Sequence, residues 1–72
     1  MENMKPKTNE TVRVELAGPS GNAFCVLGAM RRALRNAGLG SAEIDEYFRR
    51  ATSGDYENLL AVSREYVNLV TV

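Results

Sequence analysis

From Thr11 to Leu16 the chain alternates strictly, with Val12, Val14 and Leu16 on one side and Thr11, Arg13 and Glu15 on the other. That period predicts a strand with one buried and one wet face. A different rhythm follows the turn Gly18-Pro19-Ser20-Gly21-Asn22. Ala23 to Met30 is apolar at every position, which predicts a helix covered on more than one side. Arg31, Arg32 and Arg35 bring cations to its last turns, where they suit the helix dipole, and Gly38 is placed to end it in the left-handed conformation. Ser41 reads as the cap of a second helix whose apolar face is Ile44, Tyr47, Phe48 and Ala51. Thr52-Ser53-Gly54-Asp55 breaks that helix and starts a third, in which Tyr56, Leu59, Leu60, Val62, Ser63 and Tyr66 recur at helical spacing. The last stretch, Val67 to Val72, is rich in β-branched residues and reads as a second strand.

The pattern predicts a small α+β domain in the order strand, helix, helix, helix, strand. Strands near residues 11–17 and 67–71 should pair in one sheet, with the helices on the face lined by Val12, Val14 and Leu16. The relative direction of the two strands is left open by the pattern. Residues 1–10 are polar, contain Pro6 and read as a flexible arm before a single domain over residues 11–72. A chain of 72 residues buries only about 60% of the surface that its unfolded form exposes, so a second copy is an expected source of stability. The uninterrupted apolar run of the first helix points the same way. It predicts a homodimer with Phe24, Val26, Met30 and Tyr47 at the interface.

Composition narrows the function mainly by exclusion. Nine basic and nine acidic residues balance to a formal charge of 0, which argues against a general affinity for nucleic acid or anionic membrane. Cys25 is the one cysteine and there is no histidine. No internal disulfide and no zinc site of the usual ligands is expected, and the thiol suits a reducing compartment. No apolar run approaches the ~20 residues of a membrane span, and the first residues lack a signal-peptide core. A cytoplasmic protein is expected.

The candidate chemistry sits in the turns. Gly18, Ser20, Gly21 and Asn22 lie before a helix start, where unpaired backbone N–H groups and the dipole suit a phosphate or carboxylate. The phosphate-loop and dinucleotide patterns are both absent, because Gly21 is followed by Asn22-Ala23. A plain strand-to-helix turn that satisfies its own backbone is the competing reading. Ser53 and Asp55 form a second such turn, either converging with the first on one ligand or acting as an independent cap. Arg31, Arg32 and Arg35, and separately Arg49 and Arg50, suit bidentate contacts with phosphate or carboxylate. Glu46, four residues before Arg50, favours a salt-bridged surface instead. Tyr47, Phe48, Tyr56 and Tyr66 fit core or interface packing better than a stacking platform. Catalysis has little to draw on: Cys25 lies within the apolar run and is expected to be buried, without an imidazole base, and Glu43 and Asp45 are too close in sequence to face each other on a helix.

The blocks Gly18-Pro19-Ser20-Gly21-Asn22-Ala23-Phe24, Gly38-Leu39 and Thr52-Ser53-Gly54-Asp55-Tyr56-Glu57-Asn58-Leu59-Leu60 occur in order. In them the chain, from about Val12 onward, resembles a family of small uncharacterised proteins encoded by bacteriophages and bacterial genomes. The resemblance implies a phage or prophage accessory role and carries no catalytic residue, cofactor or activity. Two functional expectations follow. The first is a non-enzymatic, homodimeric interaction module for a host or phage protein. The second is a module that binds a nucleotide or similar anion at the Gly18 to Phe24 turn, as a phage decoy for a signalling molecule.

Overall fold

Alternation at Thr11–Val14 forms strand β1, and the β-branched stretch forms β2 over Asn68–Thr71. Between them run a 3₁₀ turn, Pro19–Gly21, and helices α1 (Ala23–Asn36), α2 (Ser41–Ala51) and α3 (Tyr56–Tyr66). This is a computed structural model describing residues 5–72, with Ser20 described by its backbone alone. The strands pair in parallel, with Val12 opposite Leu69 and Val14 opposite Thr71. A parallel pair needs a crossover of a dozen or more residues, which the three helices supply. Pairing runs past the strand ends: the Asn68 N–H donates to the Glu10 carbonyl (2.8 Å), Val72 N–H to Val14 (3.0 Å) and Leu16 N–H to Val72 (2.9 Å).

The sheet has one covered face. Val12 and Val14 are buried and Leu69 and Thr71 half-buried, whereas Thr11, Arg13, Asn68 and Val70 are exposed. The expected one-sided α+β layering is therefore present, with one correction. Leu16 does not line the inner face. β1 stops at Val14, the chain turns toward Pro19, and Leu16 is left 49% exposed.

The helix ends follow from local chemistry. Asn22 caps α1, its Oδ1 accepting the Cys25 N–H at 2.9 Å. At the other end the Gly38 N–H donates to the Arg35 carbonyl and the Leu39 N–H to that of Leu34. Gly38 makes this closure possible at φ 88°, a left-handed angle that a side chain opposes. The cap of α2 is Gly40 rather than the expected Ser41, because the Gly40 carbonyl already accepts from Glu43 and Ile44. Asp55 caps α3 through Oδ1, which accepts the Asn58 N–H at 3.0 Å.

The core lies where one stripe of each helix meets the sheet. Val26, Met30, Ala33 and Leu34 of α1 face Ile44, Tyr47 and Ala51 of α2 and Leu59, Leu60, Val62 and Tyr66 of α3, with Val12 and Val14 beneath. The run from Ala23 to Met30 is thus covered on one side only: Phe24, Cys25 and Gly28 are exposed. This corrects the interface expected from sequence. Val26, Met30 and Tyr47, at 1%, 0% and 0% exposure, belong to the core of the single chain, and only Phe24 remains available to a partner. Tyr47 is the centre of the packing, edge-on to Phe48 and Tyr66 at centroid distances of 5.3 and 5.2 Å. Its hydroxyl lies 2.6 Å from Ser63 Oγ, and Ser63 in turn donates to the Leu59 carbonyl at 2.8 Å. With the serine proton so engaged, Tyr47 is the donor.

The polar stretch before β1 also joins the fold. Lys7 and Thr8 donate their N–H groups to the carbonyls of Glu65 and Tyr66 (both 3.0 Å), the buried Thr8 hydroxyl also donates to Tyr66 (2.7 Å), and the Lys7 ammonium lies 5.0 Å from the centre of the Tyr66 ring. The expected arm of residues 1–10 is therefore corrected at Lys7 and Thr8, which bond through the backbone to the end of α3, and at Glu10, which bonds to the start of β2. Met1 to Met4 lie outside the described residues.

Candidate functional site

The strand-to-helix turn is built tightly around Gly21. A Cβ on Gly21 would sit 2.4 Å from the Glu15 carbonyl oxygen and 2.7 Å from that of Leu16. Close backbone approach, not a positive φ, is what requires glycine here. Tyr56, from the second turn, donates its hydroxyl to the Gly21 carbonyl and so ties the start of α3 to the start of α1. The two turns are thereby neighbours.

The side chains of Asn22, Ser53 and Asp55, however, bond to their own backbone. Asn22 accepts from Cys25 and donates through Nδ2 to Pro19 (3.0 Å). Ser53 Oγ donates to the Arg50 carbonyl (2.8 Å), and Asp55 accepts from Asn58. Gly18 caps the 3₁₀ turn without a side chain. The Ser20 side chain lies outside the described residues. The surface cavities described below are lined by other residues.

The arginines divide into two groups. On α2, Arg49 pairs with Glu46 three residues back, and Arg50 reaches across to Glu65 of α3 in a two-pronged contact at 2.9 Å. The Arg50 partner is thus Glu65 and not the expected Glu46. Hydrogen bonds from these guanidiniums hold the Glu46 and Glu65 carboxyls below their ordinary value. On α1 the arginines are freer. Arg31 lies over the Phe48 ring at 4.6 Å. Arg32 and Arg35 make no ion pair among the described residues.

Two adjoining hollows open beside Arg32. One, of about 250 Å³, lies between β1 and α1 and is lined by Thr11, Arg13, Ala29, Arg32, Ala33 and Asn36, among others. The second, of about 270 Å³, continues over Gly28, Arg31 and Arg35. Sequence reading missed this groove. Its helical side was legible, since Ala29, Arg32, Ala33 and Asn36 follow the i, i+3, i+4, i+7 spacing of one helix stripe. Which strand edge lies beside that stripe was not legible, because it depends on the pairing.

An apolar end completes the surface. Phe24 is 87% exposed in the first turn of α1, three residues after Gly21, which lies against the carbonyls of Glu15 and Leu16. Leu16 and Val72, hydrogen-bonded to each other through the backbone, are 49% and 57% exposed. Cys25, expected to be buried, is exposed beside Phe24, because the buried stripe of α1 starts at Val26. Among the described residues no group of three His, Cys, Asp or Glu side chains is arranged to hold a metal ion. No helix among them is long and apolar enough to cross a membrane. No family model, curated protein or solved structure matches the chain.

Proposed function

We propose that this chain is a non-enzymatic protein-interaction module that works as a homodimer joined at its apolar end, around Leu16, Phe24 and Val72. The observation that carries the reading is Phe24, a large ring 87% exposed beside a core that closes without it. Covering such a side chain contributes about 1.5–3 kcal/mol, and a two-fold axis counts the gain once for each subunit. A stable interface takes roughly 800 Å² per partner. Against a total surface of 4749 Å² that is a whole end of the molecule, which Leu16 and Val72 extend beyond Phe24. The resemblance in the Gly18 to Phe24 and Thr52 to Leu60 blocks supports a phage or prophage accessory role in the host cytoplasm, with a host or phage protein as the further partner. The nucleotide reading has less support, since Asn22, Ser53 and Asp55 already bond to their own backbone.

Sedimentation velocity between 1 and 100 μM tests the reading. The expected result is twice the chain mass of 7.9 kDa for the parent, and one chain mass for Phe24→Ser, whose circular dichroism spectrum stays that of a folded chain while its melting temperature falls with the loss of the partner copy. A parent that stays monomeric throughout overturns it.

A further inference from the structure

β1 has one neighbour among the described residues, so its second edge is open. The phase of the ladder fixes what that edge offers. Glu10, Val14 and Leu16 bond toward β2, and main-chain groups alternate along a strand. The N–H and C=O groups of Thr11 and Arg13 therefore point the other way, into the hollow of about 250 Å³ between β1 and α1. Ala29 and Ala33 keep the helix side of that hollow shallow, Arg32 and Asn36 stand at its rim, and the one acid of its lining, Glu10, is outnumbered by Arg13 and Arg32. Arg13, 67% exposed, has one ion pair among the described residues, a 4.0 Å contact with Glu15. Arg32 makes no ion pair among the described residues.

We infer that this groove takes an extended acidic segment of a partner protein, added as a third strand on β1. The inference deepens the interaction-module reading by naming a partner chemistry, and it uses a surface separate from Phe24. Main-chain bonds to Thr11 and Arg13 supply affinity that does not depend on the partner's sequence, and side chains alternating along the partner supply selectivity. One side of the added strand meets Arg32 and Asn36 over the small floor of α1. The other passes Arg13 on the open sheet face. Both guanidiniums suit carboxylates. A charged residue on a short edge also discourages indiscriminate pairing, which leaves the edge to a segment of opposite charge.

The test uses the full chain and a fluorescein-labelled octapeptide of alternating Val-Val and Glu-Glu pairs, which sets glutamate on both sides of an extended strand. Two control peptides accompany it, one with lysine for glutamate and one N-methylated at alternate residues. Fluorescence anisotropy should show saturable binding of the glutamate peptide, at least tenfold weaker binding of either control, and at least a tenfold loss with Arg32→Glu. Arg32 is exposed, and circular dichroism checks that this variant stays folded. On binding, the Thr11 and Arg13 amides should become protected from hydrogen exchange. Equal binding of all three peptides, or none up to millimolar concentration, overturns the inference. So does protection of those amides by protein concentration alone, which would assign the edge to a second copy. Phe24→Ser should abolish dimerisation and leave peptide binding intact, so that failure of one reading is distinguishable from failure of the other.

Discussion

The buried relay from Tyr47 through Ser63 to the Leu59 carbonyl makes an unequal prediction for its two members. Both residues are fully buried, and the bonds run from Tyr47 to Ser63 (2.6 Å) and from Ser63 to Leu59 (2.8 Å). Ser63→Ala strands the Tyr47 hydroxyl without an acceptor, which costs about 1–3 kcal/mol. The better helix propensity of alanine offsets that by up to about 0.5 kcal/mol. Tyr47→Phe removes a donor but leaves Ser63 bonded to Leu59, at a cost of about 0.5–1.5 kcal/mol. The double variant has no stranded hydroxyl, so it should be no less stable than Ser63→Ala alone. The coupling expected between the two sites is then about 1–2 kcal/mol. Urea unfolding of the four proteins at pH 7, with an unchanged m-value, measures it. If the two substitutions add to within about 0.5 kcal/mol, the relay does not exist as described.

Four further predictions follow from particular residues. Gly21→Ala places a methyl against the Glu15 and Leu16 carbonyls and should lower stability by about 2 kcal/mol or more, against about 1 kcal/mol for the lost cap in Asn22→Ala, both read by thermal melting. Gly28→Ala meets nothing within 4 Å and should stabilise α1 by about 0.5–1 kcal/mol in urea unfolding, whereas Gly38→Ala, at φ 88°, should destabilise by a similar amount. Burial pushes the Tyr47 hydroxyl up from 10.0 to about 12; the folded state then holds its proton longer than the unfolded chain, so this contribution is complete below pH 10 and is lost as the pH rises toward 12, and Tyr47→Phe should flatten that alkaline slope. Linear and cyclic purine nucleotides at 1 mM should leave the melting temperature unchanged, because the side chains of Asn22, Ser53 and Asp55 are engaged with their own backbone; a rise of several degrees in a thermal-shift assay would revive the anion-binding reading.

Much of the fold was legible in the local pattern, because it depends on short-range physics. Alternation marked β1, helical spacing marked α2 and α3, and Gly38 and Asp55 were recognisable as a left-handed stop and a cap because each acts on backbone within four residues. The turn glycine was legible too, although its reason, the carbonyls of Glu15 and Leu16, came only with the packing. Burial along α1 was not legible. An all-apolar run has no period to show which stripe faces inward, so Cys25 and Phe24 turned outward and Val26 and Met30 inward only once α2, α3 and β1 had closed on one side. The place of Lys7 and Thr8 was hidden for a different reason: their partners are the carbonyls of Glu65 and Tyr66, and a carbonyl leaves no trace in side-chain pattern. Strand direction, and with it the open edge of β1 beside Arg32, likewise rests on contacts between residues more than fifty apart in the chain. Those contacts are set by how the three helices return the chain to the sheet, and the tertiary structure alone decides them.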